Sequence, residues 1–187
     1  TESNFRQSFV DVQAYITHAF SSKFELSFLG NIATNLYEFE PTTRQTNFGT
    51  IDSPRALNVV FNGQEQDSYR TFFGALKAAY KPTKNLSLRF FSSLYQTQEQ
   101  EYFDIISSYL VGRVSNAIGS DSFGEIDSID GVGSQIAHAR NDLDALIFNL
   151  QHKGTFTHTT NQFDWGVRYS REDIRDRVRE FEFVDNS

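Results

Sequence analysis

Phe163-Asp164-Trp165-Gly166-Val167-Arg168-Tyr169-Ser170 is the stretch that decides the fold. Phe163, Trp165, Val167 and Tyr169 share one parity; Asp164, Gly166, Arg168 and Ser170 share the other. Successive side chains of a β-strand point to opposite faces, so this alternation is a strand with one face in an apolar phase; a helix would need a period of about 3.6 residues. The same pattern recurs upstream. Leu146, Phe148, Leu150, Gly154 and Phe156 alternate with Asn149, Gln151, Lys153 and Thr155, and Leu86, Leu88, Phe90 and Leu94 with Ser87, Arg89, Ser93 and Thr97. Phe72, Gly74, Leu76, Ala78 and Tyr80 oppose Thr71, Lys77 and Lys81, although Phe73, Ala75 and Ala79 break the polar parity. Phe24, Leu26, Phe28, Gly30, Ile32 and Leu36 oppose Glu25, Ser27, Asn31 and Asn35. Val10, Val12, Ala14, Ile16 and Phe20 oppose Asp11, Gln13 and Thr17.

The connections alternate in length. Ser21-Ser22-Lys23, Pro82-Thr83-Lys84-Asn85 and Thr159-Thr160-Asn161 are short and rich in turn formers. The stretches 41–66 and 105–140 are long and rich in Gly, Ser, Asn, Asp and Gln. Six strands, over 6–20, 24–40, 67–82, 85–104, 142–158 and 162–183, joined by turns that run short, long, short, long, short, are the plan of an antiparallel up-and-down transmembrane β-barrel. The stretches 41–66 and 105–140 are then extracellular loops. Six strands cannot close in lipid, where an open edge leaves backbone groups unpaired, so the chain is expected to be part of a larger barrel.

Composition agrees. The chain of 187 residues holds 19 Phe, 8 Tyr and 1 Trp, yet its mean hydropathy is -0.46, as alternation requires. No run approaches the length of a transmembrane helix, whereas a transmembrane strand needs only about 9–11 residues. Thr1-Glu2-Ser3-Asn4 has neither the basic nor the apolar region of a signal peptide. Phe20, Phe24, Tyr80, Phe156, Phe163 and Trp165 gather near the short turns, the height of an interfacial aromatic girdle on the lipid face. Lys77, Arg89, Lys153 and Arg168 fall on the opposite, lumen-facing parity, with Asp11, Glu25 and Asp164 among them. They form either a hydrated wall, its charges paired with each other or with a plug, or a surface against which a plug slides. Charges from Arg168 to Arg177, and from Gln96 to Tyr102, suit strands that protrude beyond the headgroups into water.

Other chemistry is sparsely represented. A net charge of -7 argues against nucleic acid, and the absence of Cys removes disulfides and thiolate chemistry. His18, His138, His152 and His158 lack the spacing of a helical zinc motif. Asp121 to Gly131 is a solvated acidic loop before it is a calcium site, because its carboxylates do not follow the EF-hand order. Gly131-Val132-Gly133-Ser134 reads as a flexible loop. With no nucleophile elbow or phosphate loop either, no catalytic residue, metal or cofactor is expected, and the chain is not expected to be an enzyme.

One stretch supports a closer reading. Leu146 to Phe183, with its short turn, Phe163-Asp164-Trp165-Gly166-Val167-Arg168-Tyr169 and the charged Arg171-Glu172-Asp173-Ile174-Arg175-Asp176-Arg177, resembles the barrel region of TonB-dependent receptors, particularly large ones from Bacteroidota. Lys81-Pro82-Thr83-Lys84-Asn85-Leu86-Ser87-Leu88 resembles such a barrel's periplasmic hairpin. The resemblance implies nutrient uptake across the bacterial outer membrane, with membrane lipid, a plug domain, TonB and an unknown extracellular ligand as partners. A structural or secretion-associated outer-membrane barrel, or a soluble all-β binding module, are the alternatives.

Overall fold

The computed structural model describes residues 4–185, and every regular element among them is a β-strand. In chain order these are β1 (Asn4–Ser21), β2 (Phe24–Glu40), β3 (Arg44–Thr50), β4 (Ser53–Thr83), β5 (Leu86–Val114), β6 (Ile126–His158), β7 (Asn161–Arg177) and β8 (Glu180–Asp185). They form one antiparallel sheet in the order β1-β2-β4-β5-β6-β7, with β3 on β4 and β8 on β6. The sheet is a meander and does not close: β1 and β7 stand at its two ends.

The short turns fall where the turn formers are. Ser22-Lys23, Lys84-Asn85 and Thr159-Thr160 each occupy a two-residue hairpin between paired residues. The hydroxyl of Ser21 accepts from the backbone N–H of Lys23 (3.2 Å) and of Phe24 (3.1 Å), which holds the first turn. Thr159, alone among the described non-glycine residues, takes a left-handed φ, 50°, the sign used by primed hairpin turns.

The two long connections differ from expectation. Within 41–66, β3 and the start of β4 form a second hairpin around Ile51-Asp52. Within 105–140, β5 runs on to Val114 and β6 begins at Ile126, leaving only 115–125 as turn and bend. The expected loops are therefore mostly strand. Where neither face of a strand is consistently apolar, alternation disappears while pairing continues. The surviving signal is residue type: Val59-Val60-Phe61, Ile105-Ile106 and Tyr109-Leu110-Val111 are strand formers.

Two strand paths are interrupted rather than ended. β7 and β8 keep one register along β6: Asp142 pairs with Arg177, and three residues on, Ala139 pairs with Glu180. At the break the backbone N–H of Arg140 donates to the carbonyl of Arg179 (2.9 Å), and the N–H of Arg179 donates to Oδ1 of Asn141 (3.1 Å). β2 and β3 likewise follow each other along β4, with the register slipping by one residue. Gly63 lies in that gap at φ 108°, and a Cβ there would overlap the carbonyl of Asp104. Six strand paths thus account for eight strands.

No large side chain is fully buried among the described residues. The buried apolar set is small: Ala56, Val114, Ala139 and Ala145. A single layer of sheet has no second layer to pack on, so it holds no core of the kind that stabilises a soluble domain.

Candidate functional site: two faces and two ends

Directly paired residues of neighbouring strands share a face, so the register sorts every side chain. One row runs Ile16, Phe28, Leu76, Ser92, Leu150, Tyr169 across six strands; the next towards the short turns runs His18, Leu26, Ala78, Phe90, His152, Val167. All six apolar sets read from the sequence fall on this one face, which we call face B. The opposite face A carries the row Thr17, Ser27, Lys77, Phe91, Gln151, Arg168, and Arg89 paired directly with Lys153.

Face B is apolar for a limited height. On β4 it runs from Tyr80 to Phe72, nine residues, or about 30 Å along a strand and about 23 Å in height at a tilt of about 40°. Towards the short turns it ends in aromatics. Phe20 and Phe24 have ring centroids 5.6 Å apart, Phe24 and Tyr80 6.4 Å, and Phe156 pairs directly with Phe163. Trp165 lies across Gly154, its cross-strand partner, where a Cβ would overlap the indole. Its Nε1 donates to Nε2 of His152 (3.2 Å), whose ring stacks on Phe90 at 4.5 Å. His152 therefore fits an apolar face because both its neighbours are aromatic and one supplies a hydrogen bond. All six girdle residues read from the sequence are at this end: Phe20, Phe24, Tyr80, Phe156, Phe163 and Trp165.

Lys77, Arg89, Lys153 and Arg168 are gathered on face A at the same end. Lys77 and Arg89 line a cleft of about 540 Å³ with Lys23, Lys81 and Glu25. Among the described residues none of the four has a carboxylate within ion-pair distance. Arg168 instead donates to Oδ1 of Asn149 (2.9 Å). Two of the face-A carboxylates are held by neutral donors: Asp164 accepts from Thr155 (2.7 Å), and Asp11 from Asn31 (2.6 Å). These four basic residues are thus not ion-paired with carboxylates on this face.

At the far end, the sequence reading missed a group on face A. Glu65, Asp67 and Glu101 bring their carboxylate oxygens within 4.8 Å of one another. Partial burial, then neighbouring carboxylates, hold the carboxyl groups of Glu65 and Asp67 above their usual range. Oδ1 of Asp67 is buried without a hydrogen-bond partner among the described residues. Such hard oxygens are the donors a divalent cation would use. The signal was present as same-parity pairs, Glu65 with Asp67 and Glu99 with Glu101, in stretches read as loop or water-exposed strand.

The acidic stretch 121–131 is organised differently. Asp130 sits between Arg55 (3.4 Å) and Arg113 (3.7 Å), so two guanidiniums already occupy its carboxylate. His138 and Arg140 both meet Asp104 on face B, beyond the apolar band. Searched against family models and curated proteins, the chain matches none.

Proposed function

We propose that this chain forms part of the barrel wall of an outer-membrane TonB-dependent receptor, taking up a nutrient across the bacterial outer membrane. The observation that carries the membrane reading is the common register of six apolar stripes, which makes one band of transmembrane height on one face of a coreless sheet. Lipid is the medium that would cover such a band and leave the strands beyond it polar. The free edges of β1 and β7 call for further strands, because unpaired backbone in lipid costs several kcal/mol per group. The narrower assignment, to a TonB-dependent receptor, rests on the resemblance of Leu146 to Phe183. In this reading face A lines the lumen. Lys77, Arg89, Lys153 and Arg168, lacking carboxylate partners, meet an acidic surface of the plug near its periplasmic side. The hairpin around Ile51-Asp52 and the turn at 115–125 face the outside, where the ligand is met. The chain itself supplies wall and recognition, and no catalysis.

The soluble-module alternative would bury one face under a second layer, and the sheet has none. The test is migration of the native protein from purified outer membranes, unheated and boiled, detected by an antibody to residues 41–66. A heat-modifiable band far above the 21.4 kDa of this chain is expected. A 21.4 kDa band in the soluble fraction, unchanged by boiling, would overturn the reading.

A further inference from the structure

The sheet narrows to a waist in its outer half. The ladder of β2 on β4 ends at Phe39 and Glu65, and that of β3 begins at Arg44 and Val59, so residues 60–64 pair only with β5. On the other side the ladder of β7 on β6 ends at Asp142 and Arg177, and that of β8 begins at Ala139 and Glu180. Both interruptions adjoin one row, Glu65, Phe103, Ala139. Among the described residues only the β4–β5 and β5–β6 ladders run past that row unbroken. Three paired strands thus carry the outer hairpins. Gly63, at φ 108°, sits inside the β4 gap, and a hinge needs only a few such residues to absorb its change in dihedral angles. On face B Asp104 meets both His138 and Arg140, which ties β5 to β6 at this height.

Face A carries one sign of charge across this waist. Below it stand Glu99, Asp176, Asp67 and Glu101, and at or beyond it Glu65, Glu180 and Glu182. The face-A rows that hold them contain no Lys, Arg or His, and none of these carboxylates has a cation within ion-pair distance among the described residues. The other titratable groups facing them are Tyr37 of β2 and Tyr69 of β4. β6 offers Asn141, whose Nδ2 donates to Glu101 at 3.2 Å and, across the break, to Glu180 at 2.8 Å. Oxygens of Glu65, Asp67 and Glu101 come within 4.8 Å of one another. Like charges this close repel, and bending the outer hairpins over face A brings the upper carboxylates nearer the lower ones. Repulsion therefore resists that bend while the groups are ionised. Partial burial and neighbouring carboxylates hold Glu65 and Asp67 above their usual range, so as pH falls they take up protons before an ordinary carboxylate does.

We propose that this waist is a hinge worked by protons: ionised, its carboxylates hold the outer hairpins upright, and protonated, they let the hairpins bend over face A. That face A lines a lumen, whose outer mouth the bent hairpins cover, rests on the membrane reading above; the hinge itself rests on the ladders and the charges.

Energy transfer in the full-length protein in detergent tests it, between dyes on Ser120→Cys, at the outer turn, and Ser170→Cys, on face A of β7 below the waist. Chelator is present, so that protons alone neutralise the carboxylates. Energy transfer should rise as pH is lowered from neutral towards the ordinary carboxylate range. In E65Q/D67N it should be high already at neutral pH, with most of the pH response lost. In E101Q, which leaves both β4 carboxylates in place, the response should move to lower pH, since Glu101 is one of the charges that hold them up. H138Q should keep the wild-type response, because His138 lies with Asp104 on the opposite face. No response in the wild type, an unchanged one in E65Q/D67N or E101Q, or one abolished by H138Q overturns the inference. Heat-modifiable migration, measured on each sample, reads the membrane proposal separately: a pH response without a heat-modifiable band would leave the hinge standing and overturn the barrel.

Discussion

Leu150 occupies the middle of the apolar band on β6, paired with Ser92 on one side and Tyr169 on the other, whereas Phe148, two residues further out, faces Arg171. The two positions therefore carry different expectations, although both lie on face B. Leu150→Arg should cost about 2–4 kcal/mol, the value for a cation near the bilayer midplane, and Phe148→Arg less, because the penalty falls to about 0–1 kcal/mol at the interface. Gln151→Arg, on face A, should be mild. Urea titration of the heat-modifiable band in lipid measures all three, and equal tolerance at 150 and 151 would refute the assignment of face B to lipid. A second residue acts through backbone rather than solvent. Gly63 combines a φ of 108° with backbone contact to Asp104, so Gly63→Ala should cost about 1–3 kcal/mol of local strain. The loss belongs to the outer part of β4 and β5. Limited proteolysis should cut near residues 60–66 faster, while heat-modifiable migration stays as it was.

At the scale of elements, the carboxylates of β4 and β5 set a pH dependence. Glu65 and Asp67 bind protons more tightly folded than unfolded, because partial burial and the neighbouring Glu101 penalise their charged forms. The penalty is present at neutral pH and lifts as pH falls through the raised folded value, so this part of the sheet gains stability on mild acidification. Asp67→Asn should accordingly protect the outer hairpin from protease at pH 7.5. The gain should shrink as pH falls through the raised folded value of Asp67, where the wild-type carboxyl takes up its own proton. A gain unchanged across the whole acid titration would trace the effect to packing instead. These same elements show what the sequence made legible. The band was readable because the two faces differ in kind there, apolar on one and polar on the other, as in Phe163 to Ser170, and each of the three short turns is marked by its own residues. The outer parts of β4, β5 and β6 were not, because where neither face is consistently apolar, residues such as Asn58, Gln64 and Ser107 are as acceptable in a strand as in a loop. Phe73 and Ala75, which spoiled the parity of the third segment, lie on face A beside Tyr95 and Ser93. That face is thus only partly polar, and alternation understates a strand whose second face is mixed.

The whole molecule is electrically two-ended. All five lysines, with Arg89 and Arg168, lie within eight residues of a short turn, where the acidic residues are Glu25 and Asp164. The other ten arginines share the rest of the chain with twenty-two carboxylates, so +5 at the turn end stands against -12 beyond it. The two ends also differ in construction: two-residue turns at one, and at the other tall hairpins that carry β4 to 31 residues and β6 to 33. Inserted from the periplasm, a barrel keeps its short turns behind and passes its tall hairpins through the membrane. The absence of cysteine from the chain makes the orientation directly measurable. Single substitutions Asp52→Cys and Ser120→Cys, at the tips of the tall hairpins, should react with a membrane-impermeant maleimide on intact cells. Lys84→Cys and Thr160→Cys, in the short turns, should react only after the outer membrane is opened. Labelling of the short turns alone on intact cells would invert the orientation. Equal labelling of all four positions before and after opening would mean that no membrane separates the two ends.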